Sequence, residues 1–115
     1  MSEPSIFTRI LNGEIPGEIV AQNDRVFAIR DINPQAPLHV LVIPRSEQYR
    51  DVTELAAGDP GLMADMVAMA KQIATEHANG EYRLIFNNGA SAAQSVFHVH
   101  AHVLANIEEN KLVGF

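Results

Sequence analysis

Three of the five histidines in this chain, His98, His100 and His102, lie two residues apart in a run of small or β-branched apolar residues. A period of two with neighbouring valines favours a β-strand over a helix, so the three imidazoles are predicted to project from one face. A solvated strand face usually carries threonine, lysine or glutamate, so a face of three imidazoles indicates chemistry. The alternative is a strand whose polar face happens to use histidine.

Metal binding is the first chemistry that clustered imidazoles suggest, because histidine is a common zinc ligand. Same-face residues on a strand lie about 6.7 Å apart, which separates His98 from His102 by about 13 Å at Cα. With zinc–nitrogen bonds of about 2.1 Å, these two cannot share one tetrahedral ion. Two of the three together with His39 could still form a site, but the strand supplies no carboxylate to complete it. A metal site therefore stays an alternative.

A covalent reaction at phosphorus suits the histidines better. A neutral imidazole attacks phosphorus and then leaves when the phosphoryl or nucleotidyl group passes to water, without a metal. The central His100 has an imidazole on each side to set its tautomer and exchange protons near neutral pH. His39, predicted on another strand, could orient it, although a single histidine in a buried strand is more often a core group. Ser95 and Asn87 could donate hydrogen bonds to phosphate oxygens and to the leaving group.

The elements that must position these groups are short strands around one long helix. Apolar runs and alternation predict strands over 18–22, 25–30, 38–43, 81–87 and 97–104. Ser5 caps a short helix over 5–11, and a long helix runs from Asp59-Pro60 to Asn79-Gly80. Residues 47–57 are interpreted as a polar linker, with at most one helical turn at Thr53.

Two other stretches could contact a ligand. Phe27, Ile29 and Asp31 share one strand face, and an apolar floor that ends in a carboxylate could hold a flat base and accept hydrogen bonds from a sugar diol. A core strand followed by a turn aspartate explains the same pattern equally well. Residues 88–95 are small or polar, and such a loop can bring backbone N–H groups close to an anion just before the histidines.

Composition narrows the class of protein. The chain has 115 residues, which suits a single domain over 1–115, and 47% of them are hydrophobic. A net charge of −6 argues against binding a nucleic-acid backbone. The absence of cysteine excludes disulfides and thiolate metal sites and suits a reducing cytoplasm. The sequence shows no signal peptide and no membrane-spanning apolar run, so we predict a cytoplasmic protein without a membrane partner.

The segment from Gln94 to Leu104 resembles the histidine triad motif of the HIT superfamily, in which three histidines alternate with apolar residues. The likeness covers nearly the whole chain. Other segments resemble the HINT branch in the same order along the sequence: Ile6-Phe7 with Ile10, Gly13-Glu14-Ile15-Pro16, the run from Arg30 to His39, and Tyr82-Arg83 through Asn87.

The resemblance implies an α+β fold with a five-stranded antiparallel sheet, one long and one short helix, and a homodimer with a continuous ten-stranded sheet. It implies hydrolysis of purine nucleoside phosphoramidates, and of acyl-nucleotides, to the nucleoside monophosphate, with no cofactor or metal. By motif position, the catalytic residues would be His100 as the nucleophile, His98, His102, His39 and Ser95. The ribose of the substrate would contact Asp31, and its phosphate would contact Asn87. Its base would contact Phe7, Ile10, Ile15 and Ile29, and Ile32 and Gln94 would also bind the substrate.

Three features depart from the usual HINT pattern. Ala92-Ala93 stands where relatives usually carry glycines, which narrows backbone freedom beside the phosphate. Ala101 is smaller than the usual apolar spacer. The C-terminal segment has no tryptophan, whereas HINT proteins tend to place an aromatic residue from this segment at the partner's site. These departures bear on leaving-group preference more than on the chemistry. A nucleotide-binding scaffold with incidental hydrolysis and a metal-dependent phosphodiesterase remain the alternatives.

Overall fold

A five-stranded antiparallel sheet organises the described part of the chain. A computed structural model describes residues 3–107, so the interactions predicted for the tail after residue 107 lie outside the described residues. The strands are β1 (Ile19–Gln22), β2 (Val26–Arg30), β3 (Leu38–Pro44), β4 (Arg83–Ile85) and β5 (Ala101–Ala105), in the spatial order β1-β2-β3-β5-β4. All four pairings are antiparallel, which confirms the predicted α+β class and sheet.

Three α-helices accompany the sheet within residues 3–107. They are α1 (Ile6–Leu11), α2 (Val52–Gly58) and α3 (Pro60–His77). The Ser5 and Asp59 side chains accept hydrogen bonds from first-turn amides of α1 and α3, as predicted, and proline occupies the first position of α3. No helix in this range is long and apolar enough to cross a bilayer.

Helix α2 corrects the interpretation of residues 47–57 as a linker. The Asp51 side chain accepts from the Glu54 amide at the start of the helix, and Leu55 is fully buried. The capping residue Asp51 is visible in the sequence. The helix has only one buried residue, Leu55, so its apolar periodicity is too short to recognise. Residues 3–107 therefore contain one long and two short α-helices, where one long and one short helix were predicted.

Strand β3 is the centre of the sheet, and all seven of its residues are buried. Alternate residues of β2 and β3 face opposite sides, as the period of two requires. On one side Val26, Val40 and Val42 pack in the core that includes residues of α2 and α3. On the other side Phe27 and Ile29 form a smaller cluster with Phe7 of α1, Leu41 and Ile43.

The register brings two histidines of different strands together. His39 pairs with Leu104, and Leu41 pairs with His102, across β3 and β5. His39 and His102 are therefore diagonal neighbours on one face of the sheet, within reach of each other's side chains. This register is the reason that a histidine distant in sequence joins the triad.

Two element boundaries differ from the predictions. Strand β5 begins at Ala101, so His98 and His100 precede it instead of lying within one strand with His102. Strand β4 spans only Arg83–Ile85, and the buried stripe of α3 ends at Ala74, which leaves His77 exposed. Residues 98–100 do not form a regular strand because their main-chain groups bond elsewhere. The His98 carbonyl accepts from His100 Nδ1, and the Val99 amide donates to the Tyr49 carbonyl.

We predict that packing between α3 and the sheet dominates stability. Ile73 is fully buried on α3, whereas Val67 of the same helix is 37% exposed. Ile73→Ala should lower the free energy of unfolding by about 2–5 kcal/mol because it removes buried methyl groups and leaves a cavity. Val67→Ala should change it by less than about 0.5 kcal/mol. Urea denaturation followed by circular dichroism measures both, and equal losses would contradict the packing assignment.

Candidate active site

The predicted site residues gather around a cavity of about 280 Å³ on the α1 side of the sheet. Another cavity, of about 310 Å³, lies near Asn79 and contains none of them. Nine of the predicted site residues line the cavity on the α1 side: Phe7, Ile10, Ile29, Asp31, Ile32, Asn87, Ser95, His100 and His102. The lining combines an apolar part from α1 and β2 with a polar part from the segments around the histidines. Elements that are distant in sequence thus converge on one cavity.

His100 presents a nucleophilic nitrogen. Its Nδ1 lies 2.8 Å from the carbonyl oxygen of His98, and a carbonyl only accepts hydrogen bonds, so Nδ1 carries the proton. In the neutral ring Nε2 then holds the lone pair. The ring also packs edge-on against Phe7, with 4.9 Å between ring centroids. Backbone and aromatic contacts together fix both the tautomer and the orientation of this imidazole.

A chain of hydrogen bonds assigns the proton of His102. The Gln35 amide donates to His39 Nδ1 at 3.0 Å, so the His39 proton is on Nε2. That Nε2 lies 2.9 Å from His102 Nδ1 and donates to it. The proton of neutral His102 is therefore on Nε2, which makes it a hydrogen-bond donor in the cavity. The Asp31 carboxylate lies 3.4 Å from His39 Nε2 and favours the same arrangement.

Burial keeps these imidazoles neutral. Loss of hydration lowers the pKa of His39, His98 and His100, and hydrogen bonds or the Asp31 or Glu47 charge only partly oppose it. For His102, burial and the neighbouring His100 and His39 lower the pKa to about 4. All four rings are therefore neutral at pH 7, the form in which one imidazole attacks while another donates a proton.

His98 and His39 act from outside the cavity lining. His98 is 1% exposed, and its Nε2 donates to the carbonyl of Pro44 at 2.7 Å. Its Nδ1 is hydrogen-bonded to the Ser5 hydroxyl. Neither residue lines the cavity, so the catalytic roles predicted for His98 and His39 would be exerted through the residues that do line it.

Gln94 and Ile15 also lie outside the cavity lining, so their contact with the substrate stays a prediction. The Gln94 amide nitrogen donates to the carbonyls of Arg50 and Val96, and its oxygen accepts from the Gly89 amide at 2.8 Å. With all its polar groups engaged, Gln94 shapes the loop before the histidines instead of binding a ligand. Ile15 is half-buried.

That loop contains one backbone conformation that glycine prefers. Ala93 has φ of 70° and ψ of 19°, the left-handed region, and it lines the cavity. A Cβ there costs about 1 kcal/mol relative to glycine. Ala93 therefore adds strain at a position whose conformation suits glycine.

Several other residues that line the cavity had no role predicted from the sequence. Ile6, Leu41 and Val96 add apolar surface, and Gly17 lies against Ile10. A Cβ on Gly17 would meet Ile10 Cγ2 at 2.4 Å, so glycine permits the close approach of this loop to α1. Leu41 could have been identified, because it follows His39 by two residues and shares its strand face.

Asp31, His39 and His102 also have the geometry of a metal site. One ligand atom from each lies within 4.8 Å of the other two. His39 Nε2 is 2.9 Å from His102 Nδ1 and 3.4 Å from the Asp31 carboxylate. A tetrahedral zinc with bonds of about 2.0–2.1 Å needs ligands about 3.3 Å apart. The carboxylate missing from the histidine strand thus comes from the end of β2. A metal here would replace the proton shared by His39 and His102.

We predict that the neutral histidines make stability depend on pH. Because the native pKa values lie below the ordinary 6.5, the unfolded chain binds more protons than the native chain as the pH falls below about 6.5. Stability is therefore full above this value and is lost as the pH falls toward about 4, where His102 titrates. The urea midpoint should be lower at pH 5 than at pH 7, and His102→Asn should reduce this difference. A midpoint independent of pH would contradict the assignment.

Comparisons with known proteins agree with this architecture. A model of the HIT domain family matches residues 12–109. The chain is 41% identical over 106 residues to the purine nucleoside phosphoramidase of Escherichia coli K12, covering 90% of this chain and 88% of that protein. It is 41% identical over 108 residues to an uncharacterised HIT-like protein of Synechocystis, covering 90% and 91%.

A solved structure shows the same fold. The HIT family hydrolase of Clostridium thermocellum superposes with a TM-score of 0.86 at 37% identity, over 95% of this chain and 96% of that chain. This chain and that hydrolase thus share one fold along nearly their whole length. The chain belongs to the HIT domain family.

Proposed function

We propose that this protein hydrolyses purine nucleoside phosphoramidates, and related acyl-nucleotides, to the nucleoside monophosphate through a nucleotidyl-His100 intermediate. The observation that carries the proposal is the pair of opposite tautomers in the cavity. His100 offers the lone pair of Nε2, and His102 offers the proton of Nε2. An attacking group and a proton donor are what cleavage of a P–N bond requires. The phosphoramidase relative from Escherichia coli supports this substrate class.

In the first step His100 Nε2 forms a bond to phosphorus as the P–N bond of the substrate breaks. The departing amine takes the proton from His102 Nε2, and the hydrogen bond that His39 Nε2 donates to His102 Nδ1 stabilises the negative charge left on the His102 ring until the second step returns the proton. The nucleotidylated His100 ring is cationic and still carries its Nδ1 proton, which the carbonyl of His98 stabilises. In the second step water attacks phosphorus and gives a proton to His102 Nε2, and His100 leaves as a neutral imidazole. Both histidines return to their starting forms without a cofactor.

The apolar part of the cavity suits a purine base. Phe7, Ile10 and Ile29 form a wall, and Ile32, 94% exposed, stands at its mouth. An isoleucine so exposed gains most from covering an apolar ring of a ligand. Asp31 accepts from the Asn33 amide at 2.8 Å, and its carboxylate keeps further lone pairs for ribose hydroxyls.

The polar part suits a phosphate. Asn87 and Ser95 line the cavity near the two histidines, and their side chains can donate hydrogen bonds to phosphate oxygens. Ser95 is exposed and lies directly after Gln94, whose hydrogen bonds hold the loop in place. The side chains near the histidines thus offer neutral donors to the anion, whereas Arg30, which also lines the cavity, forms an ion pair with Glu18 at 2.8 Å.

The test is release of AMP from adenosine 5′-phosphoramidate with a metal chelator present. His100→Ala should lower kcat/KM by at least about 10³-fold, because it removes the nucleophile. His77→Ala, which removes an exposed histidine of α3, should leave the rate unchanged. Rapid acid-free quenching followed by mass spectrometry should find the nucleotidyl adduct on His100 of the wild type.

Two outcomes would contradict the proposal. Full turnover by a folded His100→Ala variant would show that another group attacks phosphorus. Absence of turnover in the wild type, with AMP binding that survives His100→Ala, would favour the nucleotide-binding scaffold.

The cluster of Asp31, His39 and His102 supports a second candidate, a metal-dependent phosphodiesterase. Two nitrogens and one oxygen suit zinc, with the cavity at the open position. The same assay separates the candidates. Loss of activity in chelator, restored by added zinc, would favour the metal enzyme. In the covalent mechanism zinc should inhibit, because it displaces the proton on which His102 depends.

We further propose the homodimer that the family resemblance implies. Strand β4 is an edge strand that pairs only with β5 among residues 3–107, so its outer edge can extend the sheet into a second copy. Sedimentation equilibrium at micromolar concentration should give twice the chain mass of 12.6 kDa. Recovery of the single-chain mass would refute the dimer. The cytoplasmic location remains an expectation from the sequence.

A further inference from the structure

Helix α1 provides much of the apolar wall of the cavity, although it is only six residues long. Ile6, Phe7 and Ile10 all line the cavity. A helix of this length has no stability of its own in water, because nucleation outweighs the few hydrogen bonds that it forms. Its position over the cavity must therefore be set by contacts with the rest of the chain.

The main contact joins Ser5 to His98. Because His98 Nε2 donates to the Pro44 carbonyl, its Nδ1 has no proton and must accept. The Ser5 hydroxyl therefore donates to His98 Nδ1. The same oxygen accepts from the Thr8 amide at 3.3 Å as the cap of α1. One hydroxyl thus begins the helix and attaches it to the first histidine of the triad.

A second contact is weaker. Glu47 accepts from the Ser5 amide at 2.8 Å and from the Thr8 hydroxyl at 3.0 Å. Glu47 is exposed, so water competes for these bonds. His98 is 1% exposed, and a hydrogen bond to a buried ring cannot be exchanged for one to water without cost. The attachment to His98 therefore dominates.

His98 also connects this helix to the nucleophile. Its carbonyl accepts from His100 Nδ1, while its ring lies 5.8 Å from the Phe7 ring, which in turn packs on His100 at 4.9 Å. The main chain of His98 thus positions His100, and its side chain positions α1.

We propose that His98 is a positioning residue that holds α1 over the cavity by accepting a hydrogen bond from the Ser5 hydroxyl, and so makes binding of the base by that wall possible. The inference deepens the proposed function, since it takes the occupant of the wall to be a purine base. On this view the first triad histidine determines substrate affinity and base preference, whereas His100 and His102 carry the chemistry.

The test compares adenosine 5′-phosphoramidate with ribose 5-phosphoramidate, which lacks the base. Ser5→Ala should raise KM for the adenosine compound about tenfold, since it removes a helix cap and a partly buried hydrogen bond. It should change kcat, and the kinetics of the compound without the base, by less than about threefold. Ser5→Thr keeps the hydroxyl and should restore most of the affinity.

Asp51→Ala is the matched control. It removes the corresponding N-cap of α2, which has no contact with a histidine, and should leave KM unchanged. An equal rise of KM in Asp51→Ala would overturn the inference, because the effect would then follow from lost stability alone. A parallel loss for the compounds with and without the base in Ser5→Ala would overturn it as well.

Nitrogen NMR of ¹⁵N-histidine-labelled protein tests the contact without any turnover. Wild-type His98 should show an unprotonated Nδ1 with the shift of a hydrogen-bond acceptor. Ser5→Ala should move this resonance toward that of an imidazole without a donor, and Ser5→Thr should not. A protonated Nδ1 in the wild type would overturn the inference. Since this readout needs no substrate, failure of the proposed function would leave it intact.

Discussion

The site depends on one constraint, namely that buried imidazoles must be neutral and every ring N–H must find an acceptor. Backbone groups meet this constraint at three positions. The Pro44 carbonyl accepts a hydrogen bond from the His98 ring, and the His98 carbonyl accepts one from the His100 ring. The Gln35 backbone amide donates to His39 Nδ1, so the His39 proton is on Nε2, which faces His102. Because main-chain groups cannot change protonation, they assign each tautomer permanently. The two rings in the cavity thereby acquire opposite roles, although they are chemically the same residue type.

The sheet makes these tautomers useful. Central strand β3 carries His39. Because Leu41 of the same strand pairs with His102 of β5, His39 and His102 lie diagonally opposite each other on one face of the sheet. Helix α1 closes the cavity from above with Phe7, which packs against His100. Position of the base and position of the nucleophile are therefore linked through a single aromatic ring. A shift of α1 would alter substrate binding before it altered the chemistry.

Asp31 is shared among several possible interactions. It lies beside His39, it accepts from the turn that follows β2, and it borders the cavity where a ribose would lie. The same carboxylate completes the ligand set for a metal. Proton relay and metal binding are mutually exclusive here, because both use the nitrogen atoms between His39 and His102. Zinc at this position would therefore oppose the covalent reaction rather than assist it.

Much of the site could be predicted from the sequence alone, because the signals were local. The alternating histidines, the capped helices and the apolar face ending in Asp31 each lie within a few residues, and period and spacing are physical properties of a helix or strand. The strand assignment of His98 and His100 was wrong, since their ring partners Ser5 and Pro44 and the carbonyl of His98 impose an irregular path. The substrate role of Gln94 was not supported, because its amide is used by backbone groups of other segments.

The sequence by itself therefore determined the residue types, the five-stranded sheet and the alternating histidines on either side of His100. Only the tertiary structure decided which nitrogen of each histidine holds the proton, that Asp31 meets His39 and His102, and that Ser5 contacts His98. These contacts join residues far apart in sequence, since the residue numbers of His39 and His102 differ by 63 and those of Ser5 and His98 differ by 93. The periodicity of the sequence cannot predict such contacts, because they depend on strand register and on the packing of α1, which involve segments from the whole chain.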